Sequence, residues 1–467
     1  MYAVTPDAGQ PVPIRPDFME RGLWWYWAAP HPDGRISALG RHGQFGFGLF
    51  TVSRSGGPPV ISKLPDNFPL RFDQLGLTSA RFQWNAAGTA LCFEILTGGI
   101  RNLWKATVDP ATLVVVSMER VTTGPSLDTG AAWSRDGRRL AYAAENEVAR
   151  LWVYPFDPIG GRITGQGRPV TEEGSTIAES DLSADGRRLA YALTRAGSAP
   201  AQLWVSDLDA GTRQMVTQDR APAGFAMGAL SPDGTTMAYC WLRSDKQGAF
   251  ERSMVMLRSL SGEERPISTW NTQSMFFPNS WTHDERALIG SLLPLRGTGD
   301  ASLAVWPTTR RDAEGPDRIL VSEKDASIWQ GETSPDGRWL SFVVQRRSQP
   351  DRLETVIAPF DAPSPDRWIR VASDHQWPDK PRWAPDGRTL YFLSGKGGMY
   401  LNVWGIRFDP QAGRPMGAPF AITKMDSPSR VISPDFQKTE MHVAAHRLVL
   451  TMQTTTGNIW MLQDVDR

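Results

Sequence analysis

The sequence predicts an all-β fold, a single β-propeller of four-stranded antiparallel blades. Two observations carry this: an Asp-Gly turn that returns about every fifty residues, and a strand-turn-strand pattern that follows each such turn. A third excludes the rival architecture, because no stretch sets apolar residues at the helical spacing that a helical repeat would need.

The turn-bearing strings are AAWSRDGRRLAY from Ala131, SDLSADGRRLAY from Ser180, GALSPDGTTMAY from Gly228, GETSPDGRWLSF from Gly331 and PRWAPDGRTLYF from Pro381. Weaker copies run AAPHPDGRISAL from Ala28, FQWNAAGTALCF from Phe82 and NSWTHDERALIG from Asn279, where Glu285 stands in the glycine position. A short apolar segment precedes each turn and an alternating one such as RRLAYA follows, as two antiparallel strands joined tightly require. The Asp carboxylate can accept backbone N–H bonds there, and glycine takes positive φ without a Cβ clash. The later element, LWKATVDP, LWVYPFDP, LWVSDLDAGTRQMV and VWGIRFDPQAGRP in successive copies, reads as a third strand, a turn and a fourth strand.

The turns near positions 33, 87, 136, 185, 233, 284, 336 and 386 therefore divide residues 1–467 as one propeller domain, with a degenerate last blade at 441–467. MYAVTPDAGQPVPI resembles the second half of a blade, and the last blade stops after its third strand at NIWML. An N-terminal strand is accordingly expected to close the ring, which removes an exposed sheet edge. The count is nine blades, or eight if the unit from Trp24 to Leu64 is irregular.

Lys+Arg and Asp+Glu both number 50, so no net charge draws the chain to phosphate backbones or anionic lipid, and nucleic acid is not an expected partner. No apolar run reaches the roughly 20 residues that span a bilayer, so direct membrane insertion is not expected either. The segment from Met1 to Gly22 has neither a basic n-region nor an apolar h-region, so the chain as written is expected to be soluble and unexported. A place outside the cytoplasm would follow only from a membrane-anchored parent. Cys92 and Cys240 lie in apolar runs of different repeats and read as small buried hydrophobes.

No catalytic residue, metal ligand or cofactor site emerges. The turn aspartates Asp33, Asp136, Asp185, Asp233, Asp336 and Asp386 recur once per repeat, which marks a folding motif rather than a ring of cation ligands. The repeated tryptophans, Trp84, Trp133, Trp281 and Trp383 before the turns and Trp104, Trp152, Trp204, Trp404 and Trp460 in the third strands, read as packing between blades. There is no Gly-x-Ser-x-Gly elbow. Of six histidines only His442 and His446 are close, too few for a metal site. RHGQFGFGLF from Arg41 lacks the order of a phosphate-binding loop. The candidate binding residues are the unpatterned cluster Trp24, Trp25, Tyr26 and Trp27, which exceeds what one blade interface needs. Segments beginning at Leu242, Leu292 and Val344 read as insertions between second and third strands, projecting as loops from one face.

The string W-S-P-D-G-R-x-L-A-Y, followed by LWV-x-D-L-D-A-G-T and a closing V-T, resembles the TolB-type, WD-like propeller repeat of bacteria, over essentially the whole chain. NLWKATVDPATLVVVSMERVTTG, LWVYPFDPIGGRITGQGRPVT and VWGIRFDPQAGRPMGAPFAIT with GNIWMLQDVDR are similar to propeller regions of bacterial serine/threonine kinases and winged-helix regulators. The resemblance implies a non-catalytic, sensory scaffold that binds a protein or peptide, with a kinase or regulator module as the partner it suggests. This chain carries neither kinase motifs nor a helix-turn-helix. The alternative expectation is a propeller enzyme or small-ligand binder that uses polar residues of the central channel.

Overall fold

The computed structural model describes residues 2–3, 12–13, 23–42, 46–55, 57–64, 66, 81–97, 100–124, 126–172, 175–195, 202–216, 223–244, 250–295, 299–310, 314–374, 376–435, 438–463 and 465. Among them the sole helical element is a single turn at Pro365–Arg367, and no helix is long and apolar enough to cross a membrane. The fold class is the expected one: antiparallel strands in seven four-stranded sheets and one of seven strands, with a separate pair formed by Tyr2–Ala3 and Val12–Pro13. By its internal contacts the chain divides into two units, residues 1–147 with 455–467 and residues 148–454. The division falls within two long strands, Arg139–Asp157 and Arg447–Gln463.

The smaller unit holds the sheets that start at Leu23–Pro30 and Phe82–Trp84, and the part of the seven-stranded sheet that starts at Leu127–Trp133. Neighbouring sheets share an apolar layer of Leu39, Leu49, Trp84, Leu91 and Phe93. Glu94 is buried in this unit, and its carboxylate accepts the Thr129 hydroxyl and the Gly130 N–H, both at 2.9 Å.

The larger unit is a closed ring of six blades. Five are single chain segments whose first, innermost strands are Ser175–Leu182, Ala223–Leu230, Ser274–Trp281, Ala326–Thr333 and Asp379–Trp383. The sixth is composite. Its inner strand Met441–Ala444 pairs with the start of Arg447–Gln463, that strand pairs with Arg139–Asp157, and the short strand Arg168–Pro169 lies outermost. Strands separated by almost three hundred residues thus lie in one sheet, joined for example by the Phe156 N–H donating to the His446 carbonyl at 3.0 Å. The inner strand of this blade touches those of both the fifth and the first, which closes the circle.

Each of the six interfaces has its own apolar cluster, so the core is distributed around the ring. Between the first and second blades it includes Leu203, Leu230 and Met237; between the third and fourth, Leu303, Leu340 and Phe342. The composite blade packs Met441, Leu448 and Leu450 against Tyr391 and Leu393 on one side, and Val449, Leu151 and Val153 against Leu189 and Tyr191 on the other. Trp281 shows the part played by the repeated tryptophans: it is buried and its indole N–H donates across to the Ala229 carbonyl at 3.1 Å. Trp460 differs, since more than half of it is exposed. Cys92 and Cys240 are buried and free, and burial pushes both thiols up to about 12.

The Asp turns are self-contained. Asp233 Oδ1 takes the Ser231 hydroxyl at 2.5 Å and the Thr235 N–H at 2.9 Å, while Ser231 Oγ accepts the Thr236 N–H. Asp185 and Asp336 repeat the arrangement. The hydroxyl and the backbone N–H hold Asp233 below the usual carboxylate range. Where glycine has become Glu285 the turn keeps its form, and Glu285 takes φ 58°.

Two of the three segments read as projecting insertions, those from Leu242 and Val344, carry the strand ladder further instead, while the pairing of Ala287–Pro294 with Ser302–Pro307 stops at Leu292 opposite Ser302. Thr236–Ser244 and Phe250–Ser259 pair as far as Ser244 opposite Phe250, and Trp339–Arg346 and Gln349–Pro359 pair as far as Arg346 opposite Gln349.

Closure through the composite blade has a testable outcome. Leu448 is fully buried, and Leu448→Ala should lower stability by about 2 to 5 kcal/mol. Amide hydrogen exchange should rise first in Ser175–Leu182 and Asp379–Trp383, the inner strands on either side, before Ser274–Trp281 across the ring. Equal acceleration in all three would count against closure at this blade.

Candidate functional site

Five of the six inner strands carry a β-bulge at the same place, a few residues before the turn: at Ile177/Glu179, Met227/Leu230, Pro278/Ser280, Trp329/Glu332 and Asp379/Arg382. A bulge inserts a residue into one strand and re-aims the side chains beside it. Gln330 and Lys380, inside two of these bulges, adopt φ 59° and 53°, left-handed values that are costly for residues with a Cβ. At the corresponding place in the second blade stands Gly228, where a Cβ would meet the Ala238 carbonyl oxygen at 2.1 Å.

Together the bulges line a cavity of about 840 Å³ at the centre of the six-bladed ring. Its walls differ in character. Glu179, Ser180 and Asp181 come from the first blade, Lys380 and Arg382 from the fifth, and Glu440 and His442 from the composite one. Phe277, Pro278 and Leu293 of the third blade form an apolar face, and the fourth contributes Trp329 and Gln330.

The charged wall is cross-braced. Lys380 Nζ lies 3.1 Å from Glu440 Oε1, both side chains being more than nine-tenths buried. His442 Nε2 lies 3.0 Å from Ser180 Oγ, and His442 Nδ1 lies 3.4 Å from Asp181 Oδ1. The sixth blade is therefore tied through ionisable groups to both neighbours. One latch recurs: Asp181 Oδ2 accepts the Leu230 N–H of the next blade at 2.7 Å, and Glu332 Oε1 accepts the Trp383 N–H of the next at 3.2 Å. Both acids stand five residues before the turn position, at 186 and 337. Arg382 lies 3.4 Å from Glu332 and donates to Gln330 Oε1. Burial pushes the Glu332 carboxyl up to about 7 against the pull of Arg382. Burial also raises Asp379, which Lys380 opposes and the Glu440 charge reinforces.

Of the residues singled out in the sequence, Trp24, Trp25 and Trp27 pair in the strand Leu23–Pro30 of the smaller unit, opposite Arg41, Gly40 and Leu39. The side chains of Trp24, Trp25 and Tyr26 lie outside the described residues. Trp27 is exposed, with the Arg81 guanidinium 5.1 Å from its ring centroid. His442 and His446 do not act together: His442 is buried in the channel and His446 is exposed at the hairpin turn. The channel residues escaped sequence reading, although Asp181, Asn279 and Arg382 sit inside the repeat strings. The available signal was polar residues in a strand whose neighbours in the ring are apolar.

Two consequences can be measured. Lys380→Met leaves Glu440 and Asp379 buried without their cation and should destabilise the protein by about 3 to 5 kcal/mol in urea unfolding. Because Glu332 titrates near 7 when folded and from an ordinary 4.5 when unfolded, the folded state binds the extra proton between those values. Its contribution is thus full below about 4.5 and is lost as pH rises through about 7. Glu332→Gln should flatten that fall in the urea midpoint, and an unchanged slope would assign it to other groups.

No family model matches the chain, and no curated protein matches it. Solved structures similar to it include TolB and other β-propeller proteins. A putative TolB from Agrobacterium tumefaciens is 18% identical, covering 58% of this chain and 88% of that one, with a TM-score of 0.41. TolB from Acinetobacter baumannii is 14% identical over 84% and 88%, with a TM-score of 0.40. The β-propeller domain of the Trilobed protease from Pyrococcus furiosus is 12% identical over 72% and 92%, with a TM-score of 0.38. Likeness at this level carries no argument about ligand, activity or partner.

Proposed function

We propose that the chain is a non-catalytic binding scaffold of TolB-like propeller type, and that the channel of the six-bladed ring is where it takes a peptide segment of a partner protein. The observation behind this reading is the channel itself. It is an 840 Å³ opening with one charged wall and one apolar wall, held by a rigid ring. A peptide has both characters, with polar backbone and ionised groups beside apolar side chains. The sequence resemblance to kinase- and regulator-linked propellers supports a signalling module as the owner of that segment.

The Glu332 carboxyl favours a second reading. An acid held near 7 behind Arg382 of the channel lining suits proton transfer through that wall, as in an enzyme that uses the channel. On that reading Glu332→Gln keeps ligand affinity and abolishes turnover.

Panning a random peptide library on the intact chain should recover binders that are lost with Gln345→Trp, which narrows the channel from a second strand. They should be retained with Met399→Ser, a substitution at an exposed turn. Binders indifferent to Gln345→Trp would move recognition to another surface.

A further inference from the structure

The charges that the ring turns inward do not balance. Across the inner strands of the larger unit, with Glu440 at the head of the sixth, the acids are Glu179, Asp181, Glu332, Asp379 and Glu440, and the bases are Lys380 and Arg382. His442 is the remaining ionisable group. The inner strands of the second and third blades carry no charge, and of these groups Glu179, Asp181 and Glu440, with Lys380 and Arg382, line the cavity opposite the apolar residues of the third blade, while Glu332 and Asp379 lie behind the lining.

Two carboxyls register this surplus. Glu332 is raised by burial first and by the Asp181 charge as well, and Asp379 is raised by burial and by the Glu440 charge. Asp379 is also 3% exposed, and its Oδ1 has no hydrogen-bond partner. It borders a side cavity of about 20 Å³ together with Trp377, which lines the main channel too. A buried acceptor in that condition is costly unless a donor reaches it or it keeps a proton.

We infer that the channel ligand carries an organic cation, a primary ammonium or guanidinium on an apolar stem. The head is held by the carboxylates of the first blade and the stem lies along Phe277, Pro278 and Leu293. This rests on the channel reading above and names the chemistry that fits it. A carboxylate pair with a water-excluding wall binds a cation through charge-assisted hydrogen bonds, while methylene groups bury against the facing apolar surface. A Lys or Arg side chain of a peptide has this chemistry, and so does a free diamine.

Calorimetry on the intact chain separates the sources with four probes: acetyl-Gly-Lys-Gly-amide, the same peptide acetylated on its lysine Nε, acetyl-Gly-Glu-Gly-amide, and 1,5-diaminopentane. The lysine peptide or the diamine should bind, and whichever does identifies the source. The acetylated and acidic peptides should bind at least roughly tenfold more weakly, the loss of one hydrogen bond to a charged group. Glu179→Gln should weaken the cationic probe on the order of tenfold, and Gln345→Glu, which adds a carboxylate to the lining without touching the latches, should tighten it. Equal or better binding of the acetylated or acidic peptide would overturn the cation and leave the channel as the site. No binding by either cationic probe would overturn it as well, and the library result on Gln345→Trp would then decide separately whether the channel binds peptides.

Discussion

Every other feature of the larger unit depends on one pairing, the antiparallel ladder between the strand that ends at Asp157 and the strand that begins at Arg447. Five blades stacked side by side would leave an unpaired apolar face at each end. The composite blade covers both at once, Met441 and Leu450 against the fifth blade and Val449 and Val153 against the first. Arg447 adds a polar clasp, donating to the Gly186 carbonyl at 2.6 Å and pairing with Asp209 of the first blade. The channel exists only because the circle closes, and a third of its charged wall, Glu440 and His442, belongs to the closing blade.

The bulges then decide what the circle encloses. In a regular strand alternate side chains face the same way, so two neighbours could not both serve the channel. The inserted residue breaks that rule, and Glu179 through Asp181 can line the cavity as a run while Asp181 also latches onto Leu230. On the fifth blade, Lys380 and Arg382 both line the cavity. Left-handed backbone at Gln330 and Lys380 is the cost, tolerated because the blades around them fix their positions.

Much of the fold was legible because it is local. The turn around Asp233 is made within Ser231 to Thr236, so each repeat announces itself in a few letters. The hairpin of Arg346 and Gln349 was misread as a loop because RRSQPD carries loop-like residues while its backbone continues the ladder. The site was hidden for a different reason. Glu332 is one letter before the Thr-Ser-Pro-Asp-Gly of its turn, and nothing in a linear string tells that a bulge will turn it toward Arg382 of the following blade. The aromatic cluster drew attention by composition, whereas the channel is a property of geometry shared by six segments.

The composite blade also sets the order of events when the chain folds. Residues up to Asp157 are made early, and their partners from Met441 onward come almost three hundred residues later. During synthesis the five intervening blades can form as local hairpins, but the edge of the first must wait uncovered until the end. Contacts so distant in sequence are slow to form and leave apolar strands open to wrong pairing in the meantime. A ring fastened in this way is vulnerable at birth, and much less so once its last strand is in place.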